Sequence, residues 1–270
     1  MLTCFYRSDV NALTLTIFNT FSSAIDGFPS SIIRRICQLV GSDVPKEIVT
    51  RCLDALHSYV EGPIDSAQSY GKPTLENKWH PANLKTKRDV FQEGIVHQLT
   101  QILDQNSVLS KSNEGILKSA VRLIRALSQT IEGNSENLVK MVSSFGFRTK
   151  LIALCNKPNI ELPLLKSTLA ALSVLCGQTL VSDNSDIDNE MIPDAVKLND
   201  RQEVEALIQI ASKVLTVYTS KGSSTMDDSD KGMLLNTFSI LRFALPKFDL
   251  GVLTAVKTLF VNCLKCKTDS

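Results

Sequence analysis

Gly115-Ile-Leu-Lys-Ser-Ala-Val-Arg-Leu-Ile-Arg-Ala-Leu-Ser128 is the stretch on which the fold turns. Ile116, Leu117, Ala120, Val121, Leu123, Ile124 and Leu127 recur at helical spacing and make one apolar stripe. Lys118, Arg122 and Arg125 fall on the opposite side, and no proline interrupts the run. The reading is an amphipathic helix over residues 115–129, packed on one side and wet on the other. Just before it, regular helix is expected to resume at Asp89, with Ile95, Val96, Leu99, Ile102 and Leu103 as a second stripe. Just after it, helices are expected over Leu138–Ser144 and Arg148–Cys155, then from Pro163 through Leu175 to a stop near Gly177.

Further out the same pattern persists. Ile32, Ile33, Ile36, Cys37, Leu39 and Val40 predict a helix that Gly41 ends. Asp43, Pro45 and Glu47 read as the start of the next, which runs to about Tyr59 with Ile48, Val49, Cys52, Leu53, Leu56 and Val60 on one face. Residues 63–88 carry Pro63, Gly71, Pro73 and Pro81 and read as a loop or insertion. Residues 181–190 and 221–231 are polar and read as solvated loops. Helices are expected near Gln202–Tyr218, Met233–Leu245 and Leu250–Leu264. No stretch alternates with period two over a strand's length. The organisation is therefore N-terminal helices over 1–62, a loop or insertion over 63–89, repeats over 90–178, an acidic loop over 179–200 and further helices over 201–267.

Two blocks of the chain are alike. Gln92-Glu-Gly94-Ile-Val96, followed by Ala126-Leu127-Ser128, corresponds to Ser144-Phe-Gly146-Phe147, followed by Ala171-Leu172-Ser173, and the two triplets start 45 residues apart. Glycine allows a sharp turn between helices, and a small Ala126 or Ala171 lets helices cross closely. Between the blocks, Asn137-Leu138-Val139 has the look of a short first helix before the second glycine. This pattern resembles the armadillo repeat, with HEAT-type helix pairs as the near relative. The resemblance is clear over residues 90–177 and weaker at Ala55-Leu56. It implies an all-α, right-handed α-solenoid of stacked helices whose long third helices line a concave, protein-binding surface.

Composition narrows the function. Net charge is +1, hydrophobic residues make up 43% and charged residues 21%, which is ordinary for a globular chain and gives no global case for nucleic-acid binding. The longest apolar segments are broken by Lys166, Arg242 and Lys257, so no membrane span is expected. The seven cysteines are widely spaced, most of them among aliphatic residues, and no glycosylation acceptor occurs. A reducing compartment follows as an expectation: cytoplasmic, with nuclear or centrosomal and ciliary association compatible.

Chemistry finds little footing. His57, His80 and His97 sit in no triad or metal spacing. Cys263-Leu-Lys-Cys266 lacks the second pair that zinc requires. Gly71-Lys72-Pro73-Thr74 lacks the earlier glycine and the hydroxyl of a phosphate loop. Asp183, Asp186, Asp188 and Glu190 lack the glycine and glutamate of a calcium loop. Lys72, Lys78, Lys85, Lys87 and Arg88 form a basic stretch with only Trp79 and Tyr70 for stacking, which does not carry a nucleic-acid site. No catalysis, cofactor or metal is expected.

The expected function is a non-catalytic protein-interaction scaffold or adaptor. The alternatives are a terminal or regulatory part of a larger ciliary, centrosomal or kinase-associated armadillo protein, or a nucleic-acid-binding helical repeat. Lys118, Arg122, Arg125 and Gln129 step by four, three and four along one helix face. Charge fits them to grip an acidic peptide, with Gln129 bonding its backbone. The resemblance implies an Asn at the position of Gln129 and Val174, and a Trp at that of Arg125 and Ala170 in nuclear-import adaptors. Both are absent, which argues against a nuclear-localisation-peptide receptor.

Overall fold

A computed structural model describes residues 30–41, 43–61, 81–92, 94–105, 111–129, 135–177, 193–219 and 227–244. All regular structure among them is helical, as the periodicity requires. The helices are α1 (Ser30–Val40), α2 (Lys46–Glu61), α3 (Pro81–Gln92), α4 (Ile95–Gln105), α5 (Lys111–Ser128), α6 (Glu136–Val139, continued by a π turn over Lys140–Ser144), α7 (Phe147–Cys155), α8 (Leu162–Leu175), α9 (Arg201–Thr219) and α10 (Asp228–Ala244). The readings for 1–29, the insertion over 63–80, the acidic stretch 181–190, the segment 221–226, the last helix at 250–264 and the Cys263–Cys266 pair lie outside the described residues.

Four boundaries differ from expectation, the first being that of α5, which starts at Lys111 and not at Gly115. Helix α3 starts at Pro81, so the basic residues Lys85, Lys87 and Arg88 stand on a helix and not in a loop. Helix α10 starts at Asp228 because Asp227 caps it: the Asp230 amide donates to the Asp227 carboxylate at 2.7 Å. Pro45 lies just outside α2, where its carbonyl accepts from the Ile48 and Val49 amides at 2.9 and 3.2 Å.

The repeated order in the sequence is matched by a repeated order of helices: α3, Gly94, α4, α5 and then α6, Gly146, α7, α8. Gly94 has φ +79° and Gly146 φ +61°, and a Cβ at either would meet nothing within 4 Å. Their requirement is thus purely conformational. Gly115, inside α5, also faces open space but carries no positive φ. Gly94→Ala is expected to cost about 1 kcal/mol. Gly115→Ala should instead stabilise by roughly 0.5–1 kcal/mol. Urea melts followed by circular dichroism decide this, and a stabilised Gly94→Ala variant refutes the turn assignment.

The chain divides into two compact units, Met1–Leu138 and Val139–Ser270. In the first, α2 packs chiefly on α5, α4 packs on α5, and α1 and α3 lie against α2. The buried side chains include Leu53, Leu56, Ile95, Leu99, Leu117, Leu123, Ile124 and Leu127. In the second, α8 packs on α7 and α10, and α9 on α7 and α10, around Phe147, Leu151, Leu169, Leu172, Leu207, Leu215 and Ile240.

Polar ties fix the direction of these pairs. Lys46 Nζ donates to Asn113 and Ser119 to Asp54, at sequence separations of 67 and 65 residues. Lys166 pairs with Asp230 and Ser173 donates to Asn236, at separations of 64 and 63. A near-constant offset means that α2 runs parallel to α5, and α8 parallel to α10. Neighbours in an up-and-down bundle run antiparallel.

Candidate functional site

The solvent face of α5 follows from its stripe. With Leu117, Leu123, Ile124 and Leu127 fully buried, Lys118, Arg122 and Arg125 must point outward, and all three are exposed. Gln129, just past the helix, is half-buried. Successive turns of a helix advance about 5.4 Å, so Lys118 to Arg125 spans about 10 Å.

The parallel packing of α2 adds residues that sequence reasoning did not place there. Arg122 Nη1 lies 3.8 Å from Asp54 Oδ1, with side chains 45% and 39% exposed. The same Asp54 oxygen accepts the Ser119 hydroxyl at 2.8 Å. Arg51, one turn before Asp54 on α2, is also exposed. The offset that sets Asp54 beside Ser119 puts Arg51 level with residues 116–118 of α5. At the far end, Lys87 of α3 donates to the Gln129 carbonyl at 3.5 Å, a cation placed on the negative end of α5. Lys87 is 7% exposed, so it serves the helix end and not the solvent face.

Among the described residues of the second unit, α8 offers no equivalent face. Position for position, Pro163, Ser167, Ala170 and Val174 stand where α5 has Lys118, Arg122, Arg125 and Gln129. Val174 is buried, as is every residue from Ala171 to Gly177. Lys166 is engaged with Asp230 at 3.0 Å.

What the second unit holds is a buried ion pair. Arg148 Nη2 lies 2.7 Å from Glu203 Oε2, with side chains 7% and 10% exposed. Arg148 Nη1 donates to the Val196 carbonyl at 2.6 Å, and Thr149 donates to the other Glu203 oxygen at 3.1 Å. Two signals could have flagged the pair. Arg148 shares the buried face of α7 with Leu151, Ile152 and Cys155, and Glu203 stands one turn before Leu207 on that of α9.

Cys37, Cys52, Cys155 and Cys176 are free and buried. Burial pushes the thiols of Cys52, Cys155 and Cys176 up to about 12, so almost none is thiolate at neutral pH. His57 is buried in α2, and His97 is exposed on α4. Among the described residues no three His, Cys, Asp or Glu side chains group as a metal site, and no helix is long and apolar enough to cross a membrane.

No protein-family model, curated protein or solved structure matches this chain.

Proposed function

We propose that the chain is a non-catalytic, armadillo-like scaffold that binds other proteins through the solvent faces of its long helices. The observation that carries this reading is the parallel packing of α2 on α5 in the first unit and of α8 on α10 in the second. Parallel neighbours that are not adjacent in the chain are what stacking of repeats produces and what an up-and-down bundle does not. In α2 and α5 one side of the helix stays wet, and that side is polar and charged. Arg122 and Arg125 also carry long side chains suited to bidentate recognition.

Cross-linking mass spectrometry on the affinity-captured full chain tests this. A scaffold gives a stoichiometric partner whose cross-links include Lys118 of α5. Cross-links that avoid the long helices overturn the proposal. So does a hydrolase or nucleotide-turnover activity that disappears on one point substitution.

A further inference from the structure

We propose that Asp54 occupies, within the molecule, an anion site shared by α2 and α5, and that an acidic protein segment displaces it from Arg122 on binding. The inference rests on the scaffold reading and names the partner's chemistry. At 3.8 Å, Arg122 and Asp54 attract each other but make no hydrogen bond. Asp54 is held instead by Ser119, at 2.8 Å. The guanidinium of Arg122 thus keeps its donors for a better-placed acceptor, and an exposed pair at this distance is weak and readily exchanged. On exchange, Asp54 keeps its bond to Ser119, so no buried group is orphaned.

The surroundings favour an anion. Lys118 and Arg125 flank Arg122 on the exposed face of α5, Arg51 stands exposed one turn before Asp54 on α2, and Lys118 and Arg125 form no ion pair among the described residues. Alternate side chains of an extended peptide repeat at about 7 Å. Lys118 and Arg122, four residues apart, are about 6 Å apart along the helix axis. Two carboxylates spaced by one residue can therefore meet both cations. Arginine takes carboxylate through two parallel N–H donors, which adds direction to charge. Nucleic acid fits less well. The only Phe, Tyr or Trp on α2 or α5 is Tyr59, which is buried and so cannot stack on a base.

The test is fluorescence anisotropy on the full chain at low ionic strength, with a fluorescein-labelled peptide of alternating glutamate and serine. An oligothymidylate of equal length serves as rival. Asp54→Asn keeps the acceptor for Ser119 and removes the charge, so it should tighten peptide binding about twofold to fivefold. Asp43→Asn, ahead of α2, makes the same change in net charge and should leave binding unchanged. Arg122→Glu should weaken it at least about tenfold, with a thermal melt to verify folding and Arg122→Gln as the milder substitute. Equal effects of Asp54→Asn and Asp43→Asn overturn the inference. So does unchanged binding in the Arg122 variants, or an oligothymidylate that binds more tightly than the peptide. If captured partners still cross-link to Lys118 in the Asp54 and Arg122 variants with unchanged yield, the scaffold stands and the acidic partner falls.

Discussion

Glu203→Leu is expected to cost about 3–5 kcal/mol of stability. The reason is what remains behind. Arg148 is 6% exposed and cannot reach water without opening α7 from α9. Without Glu203, the guanidinium keeps only the Val196 carbonyl, at 2.6 Å. Its Nε has no partner even in the intact protein. An unneutralised cation in such a place costs far more than the pair contributes. A second replacement, Arg148→Met, removes the stranded charge, so the double variant should recover most of the loss. Urea denaturation of the wild type, both single variants and the double variant gives the coupling directly. A Glu203→Leu variant within about 0.5 kcal/mol of wild type, the range of ordinary surface changes, means that the pair is not buried in solution.

Leu123→Ala and Leu172→Ala should each cost about 2–5 kcal/mol. Both side chains are 0% exposed. Leu123 lies in α5, which packs against α2 and α4, and Leu172 in α8, which packs against α7 and α10. Helices held on two sides cannot collapse into the space a missing isobutyl group leaves, so the cavity term adds to the transfer term. Leu235→Ala is the internal control. That leucine is 66% exposed on α10, and its truncation should stay within about 0.5 kcal/mol. Thermal melts of the three variants check the assignment. Equal stability of Leu123→Ala and Leu235→Ala contradicts the core.

Much of the helical layout is legible in the chain. The five apolar residues from Ile95 to Leu103 are all buried, as their spacing demands. So are the seven that form the stripe of α5. Gly94 and Gly146 adopt the positive φ that a turn between helices calls for. Helix α3 is legible only from Asp89 on, because Pro81-Ala-Asn-Leu-Lys-Thr-Lys-Arg88 is poor in apolar residues and follows several prolines. It forms where α1, α2 and α4 supply a surface to pack on and α5 supplies a helix end for Lys87. The π turn over Lys140–Ser144, where the Phe145 amide reaches back to the Lys140 carbonyl at 3.2 Å, has no signature in the periodicity either.

The candidate site divides in the same way. That Lys118, Arg122 and Arg125 share a wet face is a property of one helix, settled by 3.6-residue periodicity and therefore by sequence alone. The presence of Asp54 and Arg51 beside them depends on a neighbour more than 60 residues away. The same holds for Glu203, which meets Arg148 from another helix. Local spacing dictates which side of a helix avoids water, since that choice involves only residues within a turn or two. Which charges meet across a packed pair depends on the register between helices. That register is chosen by the shapes of both surfaces at once, and only the tertiary structure decides it.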